Sequence, residues 1–306
     1  MTLPLRPATR GGPARWARAD RRLGAALVVP ALAITAVFVF VPLGRVLLLS
    51  LQGTDIFGRP AGWVGARNYA TMLGDPAFLR TMLTTAAFCA AVVAGRLVVG
   101  LLVTVPLTTT LRGMPVFRAL LTSPMAMSVS AASVAFAAML APGTGLVDRV
   151  LTSLGGPSIP WLTDSRWALL SVVAVTVWGS LGFTVLLLLG AFGSIDPEVL
   201  EAARLDGAGP LRSLWSISLP LVTPTLFFVV VTGTVEALTT FGQIAILTQG
   251  GPAGSTRTLV YALYQQAFGS GSANFGLASA LGVVLFVLVL GLSLLQFGVL
   301  EKRVTY

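Results

Sequence analysis

Histidine is absent from the 306 residues, cysteine occurs once at Cys89, and lysine occurs once at Lys302. Charge is scarce: only 10% of residues are Asp, Glu, Lys or Arg. Each shortage excludes a chemistry. Zinc sites built on histidine or on several cysteines are ruled out, and so is a Ser-His-Asp triad. A lone cysteine has no intrachain disulfide partner, so it says nothing about redox compartment. A P-loop requires Gly-x-x-x-x-Gly-Lys, and Lys302 lies just past the last apolar run, so the chain has no P-loop of its own. A soluble domain carries about 25% charged residues. Here 55% are hydrophobic and the mean hydropathy is +0.88. The composition reads as a polytopic membrane protein with a single membrane domain.

The net charge is +9, but the basic residues flank apolar segments, which is the pattern of membrane orientation. Nucleic-acid binding is not expected, because stacking and phosphate-binding motifs are missing. A bilayer core needs about 20 apolar residues in a helix. Six such segments are present, roughly Leu23–Leu49, Phe78–Leu111, Val116–Leu140, Trp167–Phe192, Leu219–Leu247 and Phe275–Leu300. Pro106 predicts a kink near the end of the second. The expected fold is all-α: six transmembrane helices (23–300) between a basic tail (1–22) and a short terminus (301–306). The tail holds six arginines before the first apolar run, which places it in the cytoplasm. A cleavable signal peptide has the same pattern, but the run continues to Leu49, too far for one. Six spans put both termini inside, in the plasma membrane. The external stretches 51–77, 142–166 and 249–274 are rich in Gly and Pro, whereas internal 193–218 is charged.

Within that internal stretch (coupling region 196–218), Asp196 suits an N-cap and Pro197 the first helical position. Glu198 in the first turn favours the helix dipole. Glu201-Ala202-Ala203-Arg204 continues a short helix, and Gly207 predicts a left-handed stop. A second helix is expected over Leu211–Ile217, ending before Pro220. The product is a helix–turn–helix knuckle projecting into the cytoplasm.

These residues resemble the permease subunits of ABC importers. Glu201-Ala202-Ala203, Asp206-Gly207-Ala208 and Ile217-x-Leu219-Pro220 match that family's EAA motif, with its spacing. The bland alternative is an ordinary amphipathic loop helix. The likeness extends along nearly the whole chain: Pro30, Pro42 and Ser50, then Leu247-Thr248-Gln249-Gly250-Gly251-Pro252 with Ser255-Thr256, then Tyr264, Ala267, Phe268 and Gln296. It points to the carbohydrate-importer branch, near the maltose and glycerol-phosphate types, with Trp161-Leu162-Thr163-Asp164 leaning to the latter. Two departures leave the solute open: Ser130–Phe136 lacks a tryptophan that relatives often carry, and Thr84 or Thr85 stands where an asparagine is common.

The resemblance implies a type I importer permease fold that translocates a carbohydrate or glycerol-phosphate-like solute. The chain is then not an enzyme and binds no cofactor or metal; ATP and Mg belong to a partner ATPase homodimer. Other implied partners are a second, different permease, an extracytoplasmic solute-binding protein and membrane lipid. The coupling set is Glu198, Glu201, Ala202, Ala203, Asp206, Gly207, Leu219 and Pro220. The implied pore set is Thr176, Ser180, Phe183, Glu236, Thr239 and Thr240. Arg96 and Glu236 also stand out as charges inside spans, where such groups serve function or pair with each other. Gly250, Gly251, Pro252, Thr256, Tyr261 and Tyr264 are expected to contact the binding protein, with both tyrosine rings on one side of a short helix. An ion-coupled secondary transporter and a membrane-embedded transferase are the competing classes. The knuckle argues against the first; the acidic residues, gathered in the knuckle, argue against the second.

Overall fold

The computed structural model describes residue 24 and residues 26–55, 58–108, 113–269 and 273–299. The basic tail 1–22, Arg112 and the terminus 301–306 lie outside the described residues. Four helices are long and apolar enough to cross a bilayer: α1 (Ala26–Ser50), α3 (Pro76–Leu107), α7 (Ser165–Gly193) and α13 (Phe275–Val299). A hairpin of β1 (Gln52–Thr54) and β2 (Pro60–Trp63) and helix α2 (Arg67–Leu73) join α1 to α3.

The third and fifth apolar segments are not continuous helices, contrary to the sequence expectation. The third divides into α4 (Met114–Thr122), extended by a 3-10 turn to Ala126, and α5 (Val129–Met139), bent by 104° between them. The cause is local. Met127 and Ser128 are extended, and the Ser128 hydroxyl accepts the Ala131 N–H at 3.2 Å, starting a new helix as its N-cap. The fifth runs as α9 (Pro210–Leu221) and α10 (Thr223–Thr239), bent by 68°. It breaks again at the extended Thr240 before α11 (Gly242–Leu247). Hydropathy reports only that a segment is apolar, so it did not register these corners. The remaining helices are α6 (Leu146–Ser153), α8 (Pro197–Leu205) and α12 (Leu259–Phe268).

Helix α7 is the centre of the bundle. In its most apolar window 61% of residues are buried, against 0% for α1. Lipid tails are as apolar as leucine, so close packing rather than water exclusion holds spans together, and small residues permit it. Gly100 on α3 is such a residue: a Cβ there would lie 2.7 Å from the Thr184 methyl of α7. Phe88 and Val92 on α3, Val172 on α7, Leu238 on α10 and Ile244 on α11 close one core cluster. Helix α3 ends at Leu107, one residue after Pro106.

Candidate functional site

A cavity of about 250 Å³ opens where the two broken spans meet α7. Its lining includes Met125 and Met127 at the α4–α5 elbow, Thr176, Ser180 and Phe183 on α7, and Glu236 on α10. Polar groups in broken helices at mid-span are the usual construction of membrane binding sites. Gly182 lets α7 reach the elbow, because a Cβ there would sit 2.8 Å from the Thr122 carbonyl oxygen and 3.2 Å from Met125 Cβ.

The two charges named from sequence are in contact. Arg96 Nη1 donates to Glu236 Oε2 at 2.5 Å, and Arg96 Nε donates to Thr184 Oγ1 at 3.2 Å. The environments of the partners differ. The Arg96 side chain is 1% exposed and lies in the wall between α3, α7 and α10, whereas that of Glu236 is 42% exposed and lines the cavity. Arg96 is not among the lining residues.

Four of the pore residues implied by resemblance therefore meet: Thr176, Ser180, Phe183 and Glu236. Thr239 and Thr240 do not join them. The Thr239 hydroxyl donates to the Val235 carbonyl and that of Thr240 to the Glu236 carbonyl, both at 2.8 Å. This is the ordinary back-bonding of helical threonine, and the break at Thr240 turns the chain away. Thr176 and Ser180 also donate within their helix, to Val172 and Val177. Sequence reasoning missed Trp178 and Gln243, which line the cavity too. Trp178 follows Thr176 by two residues but also packs edge-on against Phe136, at 4.9 Å between ring centroids. That Phe136 closes the stretch that lacks the tryptophan of relatives, and Ser133 of the same stretch lines the cavity.

The knuckle forms from α8 and α9. The Asp196 carboxylate accepts the Glu198 N–H at 3.0 Å. Gly207 has φ +79°, and the Ala208 N–H returns to the Ala203 carbonyl at 2.9 Å, closing α8. Glu198, Glu201, Ala202 and Asp206 are exposed, Ala203 is buried, and Pro220 is exposed beside the half-buried Leu219. The second helix does not stop at Ile217. A π-turn over Leu214–Ser218, with the Leu219 N–H bonded to the Leu214 carbonyl, carries α9 past Pro220 to Leu221. The wider turn accommodates a proline that has no N–H to give.

In the loop between α11 and α12, Gly250, Gly251 and Pro252 form the turn leaving α11, and Gly250 abuts the Tyr261 ring. Thr256 corrects the sequence expectation of a contact residue: it is fully buried. Its hydroxyl donates to the Gly251 carbonyl at 2.8 Å and lies 2.7 Å from the Thr248 hydroxyl. Tyr261 is buried as well, while Tyr264 is 40% exposed. The two rings do share a side, 6.1 Å apart, in a run of aromatic contacts from Phe241 to Phe275. Burial is unexpected for Thr256 because a turn-rich loop normally exposes its hydroxyls; here the loop folds on its own threonines.

Residues 82–306 match the family described as binding-protein-dependent transport system inner membrane component. A sn-glycerol-3-phosphate transport system permease protein of Yersinia pestis is 36% identical over 283 residues, covering 92% of this chain and 94% of the relative. The protein of the same name from Agrobacterium fabrum is 34% identical, covering 92% and 95%. Among solved structures, a bacterial alginate ABC transporter in complex with alginate pentasaccharide-bound periplasmic protein matches with TM-score 0.81 at 19% identity, covering 95% of this chain and 98% of the other. A bacterial ABC transporter involved in the import of the acidic polysaccharide alginate matches with TM-score 0.79 at 21% identity, covering 96% and 100%.

Proposed function

The chain belongs to the binding-protein-dependent transport system inner membrane component family, and from that premise we propose that it carries a carbohydrate or glycerol-phosphate-like solute through the cavity at its broken spans. It is a multi-pass plasma-membrane permease subunit of an ABC importer and not an enzyme. Its partners include an ATPase and a solute-binding protein.

The finer reading rests mainly on one observation: an exposed knuckle whose turn depends on Gly207. Glu198, Glu201, Ala202, Asp206 and Gly207 dock on the ATPase, with Leu219 and Pro220 fixing the exit. ATP binding and hydrolysis then rotate α8 and α9, and the α10 corner at Val222 passes that motion toward Glu236. Thr176, Ser180, Phe183 and Glu236 contact solute. A sugar ring or glyceryl chain offers an apolar face for Phe183 and hydroxyls for the polar groups. On the outer side, Tyr264 and the Gly251–Pro252 turn meet the solute-binding protein, while the buried Gly250 only shapes that turn. The tail and the terminus are cytoplasmic, a second and different permease completes the pore, and the apolar outer faces lie in lipid.

The test is ATP-driven uptake by the assembled importer with Gly207→Val. Insertion and assembly should persist while uptake and ATPase stimulation fall together. Full uptake and full stimulation in that variant would refute the docking role.

A further inference from the structure

The Arg96–Glu236 pair is asymmetric, and the asymmetry decides which charge a solute meets. Glu236 Oε2 is held by Arg96, while Oε1 has no partner among the described residues and belongs to a side chain 42% exposed at the cavity. The guanidinium behind it is 1% exposed and leaves Nη2 without a partner inside the bundle wall. Among the described residues no arginine or lysine lines the cavity, and Glu236 is the sole charged one. The other polar lining groups are neutral: Thr176, Ser180, Ser133, Gln243 and the Trp178 indole.

We propose that Glu236 is the specificity-determining residue of this cavity, a carboxylate acceptor for the hydroxyls of a neutral, polyhydroxylated part of the solute, with Arg96 as its buried positioning residue. This rests on the transport reading above and narrows it. A carboxylate accepts charge-assisted hydrogen bonds from hydroxyls, which are stronger than neutral ones. It repels a phosphate or carboxylate placed against it. Arg96 serves three ends. It offsets the cost of a charge within the span. It fixes the carboxylate between α3 and α10. It also keeps the pair neutral at a distance, so that an anionic solute is not barred from the pathway. An anionic group on the solute is then met outside this cavity, and the sugar or glyceryl end is what this chain reads.

The cavity potential is measurable without knowing the solute. Met127 is 46% exposed and lines the cavity, whereas the native Cys89 is buried, so Met127→Cys gives one accessible thiol on this chain, and the importer without that substitution supplies the partner-subunit background to subtract. The thiol's reaction rates with a cationic and an anionic methanethiosulfonate of matched size are compared, relative to a free small thiol. The expected result is a ratio at or above unity in favour of the cationic reagent. Adding Glu236→Gln leaves the Arg96 charge uncompensated and should shift the ratio toward the anionic reagent by about tenfold, as expected for one charge a few ångströms away in a partly screened site. A cavity that already favours the anionic reagent, or a ratio indifferent to Glu236→Gln, overturns the proposal. If the single variant does not assemble, Arg96→Gln with Glu236→Gln removes both charges and should bring the ratio to about unity; a shift toward the cationic reagent overturns it equally. The ratio is read without turnover, so absence of ATP-driven uptake would count against the transport reading and leave this measurement intact.

Discussion

At the scale of single residues, stability and coupling separate cleanly. Arg96 is buried and ion-paired, so truncating it strands Glu236 within the span. Glu236 is 42% exposed, so the cost should fall below the about 3–5 kcal/mol of removing one partner of a fully buried pair. Arg96→Met should therefore lower the yield of folded protein and its resistance to heat in detergent, measured by fluorescence-detected size exclusion. Thr184→Val, which keeps the packed methyl and replaces only the hydroxyl that accepts from Arg96 Nε, should cost about 1 kcal/mol by the same assay. Gly207→Val acts elsewhere. At φ +79° a residue with a Cβ pays about 1–2 kcal/mol, and β-branching adds to it. That strain falls on an exposed turn, so thermal resistance should fall only modestly while ATPase stimulation drops out of proportion to it.

At the scale of elements, the elbow and the loop around α6 are the two constructions that hydropathy does not report. Helix α7 presses against the elbow through Gly182, with no room for a side chain. Gly182→Val should cost about 1–3 kcal/mol as overpacking, and should reduce uptake more than Gly190→Val, since a Cβ at 190 meets nothing within 4 Å. Equal uptake by the two variants would disprove the close contact. In the loop around α6, Asp148 is 2% exposed. It accepts the Ser158 hydroxyl at 2.7 Å and the Gly143 and Ile159 N–H groups at 2.9 and 3.0 Å. The Ser158 hydroxyl first, then the Ile159 and Gly143 amides, hold its carboxyl below the ordinary value of 3.8. A depressed folded pKa contributes stability that is fully present above the unfolded value and lost as pH falls through the folded one. The loop should thus keep its protease resistance at pH 5 and above, and lose it only in strong acid, below pH 3.8. Asp148→Asn, with one acceptor oxygen instead of two, should loosen the loop at neutral pH. Limited proteolysis from outside reads both.

At the scale of the whole molecule, orientation ties the parts together. If α8 and α9 are cytoplasmic and α6 is external, two exposed leucines report opposite sides. Leu154 is 80% exposed at the end of α6 and Leu205 is 89% exposed in the knuckle. In intact cells a membrane-impermeant thiol reagent should label Leu154→Cys and miss Leu205→Cys until the membrane is permeabilised. The buried Cys89 should contribute little background. Labelling of Leu205→Cys in sealed cells would invert the topology and remove the knuckle from the ATPase.

Much of this protein was legible without coordinates. Six long apolar runs with few charges make a membrane bundle, because a bilayer core admits little else. A lone lysine past the last apolar run excludes a P-loop of its own, and the absence of histidine excludes histidine chemistry. Asp196, Pro197 and Gly207 determine the knuckle locally: a cap, a first-turn proline and a left-handed stop act through neighbours in the chain. The pairing of Arg96 with Glu236, 140 positions apart, was one of two readings that charges inside spans allowed, the other being contact with solute. The tertiary structure decided which partner faces the cavity. Solvent access depends on how α3, α7 and α10 pack, and packing is a property of all three at once. The same reason removed Thr239 and Thr240 from the cavity wall and buried Thr256. Spacing along a helix says which residues share a face, but a break at Thr240 or a loop folded on its own hydroxyls determines what that face meets.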